Sequence, residues 1–226
     1  MKNLLVLALF TLIAIQVQAQ FKFYANNCSE KYKAKIFVNN CAQTTCDGKA
    51  TIILYDKVSD KELGTFHSAD LDFNLTGKQD AKLGWLELSK YQSPLIFGDF
   101  NFDGLEDMAI RNGSNGIFMS PSYDIYLADD HKFTLNKSLT QLASENSGMF
   151  AVNKKSRELT VERKDGCCYY TTINYTVDAK NKITEASSLL EDLSIADYVT
   201  VITRKYVDGK VIKTVKKFKT KEYYKQ

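Results

Sequence analysis

From Glu158 to Phe218 the chain is a series of short alternating runs separated by turn residues. Glu158–Arg163, Tyr169–Val177, Ile183–Leu190, Val199–Val207 and Lys210–Phe218 are rich in β-branched and aromatic residues with period-2 alternation, which sets one row of side chains on each face of a pleated strand. The connections carry Lys, Asp, Asn and Gly. Asp208-Gly209 joins the last two runs, and such a pair closes a hairpin because a type I′ turn needs φ > 0 at both central residues. Neighbouring runs of this kind pair antiparallel, so this half of the chain reads as a meander, which Met149–Val152 begins.

The first half carries the same signal less regularly. Ala34–Val38 and Ala50–Tyr55 read as strands around a Cys- and Gly-containing turn, and Phe66–Leu75 alternates in part. Leu95–Phe97 and Met108–Ile110 are short apolar runs on either side of an aspartate-rich loop, and Tyr123–Leu127 alternates again. Ser138–Ser144 is suited to one or two helical turns with Leu139 and Leu142 on one face, and Asp192–Asp197 to another short turn. With two prolines and no low-complexity linker, residues 20–226 show no domain boundary. The expectation is an all-β, single-domain antiparallel meander.

The first 19 residues read as a cleaved signal peptide. Lys2 precedes an apolar stretch from Leu4 to Ile15, and Val17-Gln18-Ala19 has the small-residue spacing of a cleavage site near Ala19. The stretch is shorter than the ~20 apolar residues of a membrane span, so no transmembrane anchor is expected after cleavage. A periplasmic or secreted location follows. The net charge is +3, falling to +2 when Lys2 leaves, with both signs interspersed. That balance gives no reason to expect nucleic acid. The basic stretch Lys213–Lys225 is the exception, and it reads as a solvated edge strand protected by lysines.

Export makes disulfides permissible for Cys28, Cys41, Cys46, Cys167 and Cys168, with one thiol left over. Adjacent Cys167 and Cys168 are not expected to pair with each other. Consecutive Cα atoms lie about 3.8 Å apart, below the usual ~4.4–6.8 Å of a disulfide, and neighbours in a strand face opposite ways. One of them is available to bridge toward Cys28, Cys41 or Cys46. With no CxxC pair, zinc and thioredoxin-like chemistry lack support.

Asp99, Asn101, Asp103 and Asp107 stand at positions 1, 3, 5 and 9 of a D-x-N-x-D-G-x-x-D pattern. Calcium takes oxygen ligands, and alternate side chains of a tight loop converge on one ion. The alternatives are a metal-free, hydrogen-bonded Asx-type turn, which leaves three carboxylates crowded together, and magnesium, which keeps more water and a stricter octahedron. Gly104 permits the sharp turn. The Leu105 carbonyl would add a ligand, and Asp107 would close the shell. An EF-hand would need a bidentate glutamate at position 12, where Ile110 stands instead. Glu106 is expected to face solvent. The loop carries no histidine or nucleophile, so calcium is expected to stabilise, not to catalyse.

The stretch GDFNFDGLEDMAIRNG, followed by SPSYDIYL, resembles the FG-GAP type of calcium loop of integrin-like β-propellers. Together with KDGCCYYTTINYTV it resembles a family of small exported bacterial proteins, across Ile96–Val177. Characterised members of that family are periplasmic immunity proteins that inhibit lysozyme-like effectors of a type IV secretion system. The resemblance implies a propeller-blade-like fold with calcium in the loop, and a role as inhibitor of a lysozyme-like peptidoglycan hydrolase, with no enzyme activity. The alternatives are a calcium-stabilised extracellular module that binds glycan or protein, and a hydrolase with an unrecognised acid pair.

An inhibitor presents a rigid protrusion to a cleft. Two segments are candidates: Asn112–Ser122 with Ile117, Phe118 and Met119, and Asp165–Tyr170 with Tyr169 and Tyr170, a residue type enriched at binding hot spots. The calcium loop is expected to order the first of these as its neighbour. His67 and His131 lack nucleophile partners and read as surface residues, and Trp85 reads as core.

Overall fold

The computed structural model describes residues 20–42, 44–75, 93–130 and 132–225. The expected signal peptide, Trp85 and His131 lie outside them. Three antiparallel sheets follow one another along the chain. The first holds β1 (Phe21–Ala25), β2 (Tyr32–Cys41), β3 (Thr45–Asp56) and β4 (Glu62–Ser68), with the two-residue β5 (Phe73–Asn74) paired to β3. The second is a four-stranded meander of β6 (Leu95–Gly98), β7 (Asp107–Arg111), β8 (Tyr123–Asp129) and β9 (Lys132–Leu135). The third is a six-stranded meander of β10 (Ala151–Asn153), β11 (Glu158–Asp165), β12 (Tyr169–Val177), β13 (Ile183–Asp192), β14 (Tyr198–Val207) and β15 (Lys210–Lys219). Two short α-helices, α1 (Lys137–Leu142) and α2 (Thr220–Tyr223), and a single 3₁₀ turn at Ile117–Met119 complete the described elements.

The second sheet is the middle layer, and its alternation shows why. All five residues of β7 are buried. Met108 and Ile110 face one way, into a core shared with Phe23, Ile36, Ile52, Leu54 and Phe66 of the first sheet. Ala109 and Ile125 face the other way, into a core with Leu139, Leu142, Phe150, Leu159, Val161 and Ile173. A strand covered on both faces reads as a continuous apolar run, which is what Met-Ala-Ile is. Edge-to-face ring pairs close the first interface, Phe66 on Tyr126 at 4.9 Å and Tyr32 on Phe133 at 5.3 Å. Such pairs add about 0.5–1.5 kcal/mol beyond their burial.

Local signals match local structure. Asn136 caps α1 by accepting from the Leu139 N–H at 3.0 Å, and Leu139 and Leu142 form its buried face. Asp208 and Gly209 both have positive φ, +48° and +71°, as a type I′ turn requires. Phe66–Leu75 is not one strand: β4 ends at Ser68, and the chain turns before β5. The Ser68 hydroxyl donates to the Arg111 carbonyl at 2.7 Å and thereby leaves its own sheet for the middle one.

The cysteines depart from expectation. Cys41 bridges Cys46 across the β2–β3 turn, and Cys167 bridges Cys168. The adjacent pair lies in the β11–β12 turn beside Gly166 at φ +58°, not in a strand, so the opposite-face constraint does not act on it. Cys28 is the free thiol. Its Sγ points at the Ala25 and Tyr32 carbonyls, and burial pushes its pKa up to about 11, which makes it unreactive.

Ile110 and Ile125 fill opposite faces of the middle sheet. Truncating either to alanine should cost roughly 2–5 kcal/mol in urea unfolding. Val58→Ala, at a residue 96% exposed, should stay within about 0.5 kcal/mol.

Candidate functional site

Residues 99–106 connect β6 to β7 at one end of the middle sheet. Phe102 (φ +62°) and Gly104 (φ +91°) turn the chain sharply. Asp99 accepts from the N–H groups of Asp103 and Gly104, both at 3.0 Å. Asp103 accepts from the Leu105 N–H at 2.8 Å and from the Asn101 amide at 2.8 Å. Asp107 is fully buried. One of its oxygens accepts from the Phe100 N–H at 2.7 Å and the other from the Ala128 N–H at 2.9 Å. Burial, together with the charges of Asp103 and Asp99, raises its pKa to about 7 against the pull of those two N–H groups. Ile110 is a buried β7 residue, and strands flank the loop on both sides, so the helix–loop–helix of an EF-hand is absent here.

Of the residues predicted from sequence, Asp99, Asn101, Asp103 and Leu105 lie in this loop and Asp107 opens β7, and the structure adds residues that the sequence did not point to. The Asn101 amide donates to Asn181 Oδ1, on the β12–β13 turn, at 3.1 Å. Arg157, before β11, donates to the Phe102 carbonyl at 2.8 Å and stacks on its ring at 5.6 Å. Glu106 does not face solvent alone: it accepts from the Ser29 hydroxyl, before β2, at 2.5 Å. Elements of all three sheets therefore meet at the loop. Asn181 is legible only as a turn residue, because its partner lies 80 positions away.

Every donor in the loop is oxygen, and the carboxylates outnumber their positive partners, so the chemistry suits a hard cation over a soft one. Among the described residues no group of three or more His, Cys, Asp or Glu side chains is drawn together as a metal cluster. An ion here would depend on the Asn101 amide and main-chain carbonyls as well as on the acids.

Asn112–Ser122 lies at the other end of β7, which changes the expected relation between the two. Five residues of strand span roughly 17 Å at about 3.4 Å each, so the aspartate loop does not order this segment by contact. Other partners do. Gly113 N–H donates to the Asp70 carbonyl at 2.7 Å, Ile117 N–H to the Asn146 carbonyl at 3.1 Å, and the Ser122 hydroxyl to the Asn112 carbonyl at 2.6 Å. Gly116 is packed so closely that a Cβ there would sit 2.5 Å from the Asn146 carbonyl oxygen. The tip is strained: Phe118 and Met119 both hold positive φ, +53° and +61°, and are 68% and 80% exposed. Non-glycine residues held this way cost about 1–3 kcal/mol each and concentrate at functional sites.

Lys164, outside both segments nominated from sequence, stands between them. Lys164 places its Nζ 5.8 Å from the Phe118 ring and 5.2 Å from the Tyr170 ring. A groove of about 600 Å³ runs between them, lined by Ile117, Phe118, Arg163, Lys164, Thr171 and Ile173 among others. Tyr169 and Tyr170 are exposed beside the Cys167–Cys168 turn, whereas Ile117 is half-buried. His67 is an exposed strand residue 3.3 Å from the Thr51 hydroxyl.

No protein-family model matches the chain, and no curated protein does. A solved structure of a Xanthomonas type IV secretion system related protein is similar in fold, with a TM-score of 0.65 at 19% identity, over 88% of this chain and 94% of that one. Two disulfides fit an oxidising extracytoplasmic compartment. No helix among the described residues is long and apolar enough to cross a membrane.

Asp107→Ala would leave the buried N–H groups of Phe100 and Ala128 without an acceptor. At about 1–3 kcal/mol for each orphaned donor, chemical denaturation should register a loss of roughly 2–6 kcal/mol. In metal-free buffer, Asp103→Ala at the exposed rim should cost no more than about 1 kcal/mol.

Proposed function

We propose that this chain is an exported, calcium-stabilised inhibitor of a lysozyme-like peptidoglycan hydrolase, of the immunity type, that acts by occluding its target's cleft. The observation that carries the reading is the meeting of Phe118 with Lys164 and, through Lys164, with Tyr170 on one surface, with Met119 exposed beside Phe118. An aromatic and thioether tip on a strained, tightly braced turn is pre-organised, so little conformational entropy is lost when it docks. Glycoside hydrolases work with a pair of carboxylates in their clefts, and Lys164 with Arg163 supplies the opposite charge, partly offset by Asp165. The resemblance of the aspartate loop and the Cys-Cys-Tyr-Tyr segment to exported immunity proteins supports the same reading. So does the fold shared with a type IV secretion system related protein.

Calcium, in this proposal, is held by Asp99, Asn101, Asp103 and the Leu105 carbonyl, with Asp107 closing the site from its buried side. The ion supplies positive charge to a loop that carries several carboxylates, and it stiffens the junction of three sheets. It takes no part in chemistry.

Two measurements test the halves separately. At free calcium about 100-fold above its dissociation constant, stabilisation should be about 2.7 kcal/mol, which for a chain of this size raises Tm by roughly 5–11 °C over a chelated sample. Asp103→Ala should abolish that shift, and an unchanged calcium response in this variant would remove the ion from the loop. In turbidity assays on peptidoglycan, the protein should block a lysozyme-type enzyme. Phe118→Ala with Met119→Ala should weaken inhibition at least about tenfold, the size of a hot-spot loss. Absence of inhibition across the lysozyme classes would overturn the reading. Glycan binding without inhibition would replace it with a recognition module.

A further inference from the structure

The β14–β15 hairpin stands apart from the rest of the molecule in both charge and exposure. Residues 198–226 contain nine Lys or Arg and two Asp or Glu, a net +7, whereas residues 20–197 contain 20 basic and 25 acidic residues, a net −5. The near-neutral whole thus conceals a strongly polarised chain. Every residue from Lys205 to Lys217 is exposed. β15 is the open edge of its sheet. None of the hairpin's cations takes part in either ion pair found among the described residues, Lys33–Asp60 and Arg111–Asp72.

The arrangement is graded along the hairpin. Tyr206, Val207, Val211 and Ile212 surround the Asp208-Gly209 turn and are all exposed, with Lys210 opposite Val207 and Lys205 opposite Ile212. Behind them come Arg204 and Lys213, then Val215 with Lys216 and Lys217. Arg204 lies directly opposite Lys213 in the strand register. Like charges opposed across a ladder destabilise it, and an anionic partner would relieve that repulsion. Lysines alone would suit an edge strand guarded against aggregation. Such a guard does not explain four apolar side chains gathered at the tip.

We propose that this hairpin is a peripheral docking element for an anionic phospholipid surface: the apolar tip enters the headgroup region while the cations behind it meet the lipid phosphates. Apolar burial plus electrostatic attraction is how interfacial segments bind, and each Lys or Arg near an anionic leaflet adds to the attraction within a Debye length. Two other occupants fit less well. A second copy paired edge to edge through β15 would set lysine rows against lysine rows. A soluble polyanion would satisfy the cations and leave the tip without a role. The proposal does not rest on the aspartate loop or on hydrolase inhibition.

Co-sedimentation of the full chain with vesicles tests it. Vesicles of phosphatidylglycerol and phosphatidylcholine should bind at least about tenfold more protein than phosphatidylcholine alone, and 0.5 M salt should remove most of the difference. Lys213→Glu with Lys217→Glu should lower the affinity by about tenfold or more. Val207→Ser with Ile212→Ser keeps the charge and should also weaken binding severalfold, because the tip no longer inserts. Far-UV circular dichroism of each variant separates lost docking from lost folding, since every one of these side chains is exposed. No binding to either vesicle, or equal binding to both, would overturn the proposal. Binding untouched by the tip substitutions would overturn insertion and make the hairpin a polyanion site.

Discussion

The buried carboxylate of Asp107 is the interaction on which the rest of the structure hangs. Its two oxygens hold the N–H of Phe100, in the loop that precedes β7, and the N–H of Ala128, near the end of β8. A charge fully removed from water is costly unless hydrogen bonds replace its hydration, and here two main-chain donors offset part of that cost, leaving the pKa raised to about 7. Once the β6–β7 loop is fixed against β8, the loop can offer Phe102 to Arg157, Asn101 to Asn181 and Glu106 to Ser29. Those three contacts reach from the middle sheet into both outer ones. At the other end of the same short strand, Arg111 is also buried and pairs with Asp72 at 2.7 Å. An acid at one end of β7 and a base at the other pin the strand between two apolar cores.

This layout sets the aspartate loop and the Phe118-Met119 tip at opposite ends of one strand. The aspartate loop gathers three sheets at one end of β7, and the strained Phe118-Met119 tip stands beyond the other end. A cation taken up in the loop would reach the tip only through the rigidity of the middle sheet. The tip has its own bracing, in Gly113 on Asp70, Ile117 on Asn146 and the close packing of Gly116. Two consecutive residues at positive φ persist only where their surroundings over-determine the backbone.

Much of the local structure is legible in the sequence. Period-2 alternation places β11 to β15, Asp208-Gly209 closes the final hairpin, and Asn136 with Leu139 and Leu142 specifies α1. Each depends on neighbours within a few positions. The order of the layers is not legible, because nothing in Met108-Ala109-Ile110 says which sheet covers which face. Nor are the clamps on the loop: Arg157 and Asn181 lie 55 and 80 positions from their partners. The Cys167–Cys168 bridge is hidden for a different reason. Strand geometry argues against it, and the turn in which it forms frees the chain from strand geometry.

The aspartate pattern of the β6–β7 loop and the stacked-sheet architecture are compatible because they are set at different scales. The D-x-N-x-D-G-x-x-D pattern needs two strands, a glycine free to take positive φ, and one acid that can be buried under the turn. Those demands are met inside a single β-hairpin, so the pattern can sit in any sheet whose flanks are covered. What surrounds it is decided by where the apolar rows of β7 and β8 find partners. In this chain one row finds the five-stranded sheet and the other finds α1 with the six-stranded one. The loop thus reports how one hairpin is held. Phe118, from the β7–β8 connection, and Lys164 and Tyr170, from the third sheet, come together only after the sheets have stacked.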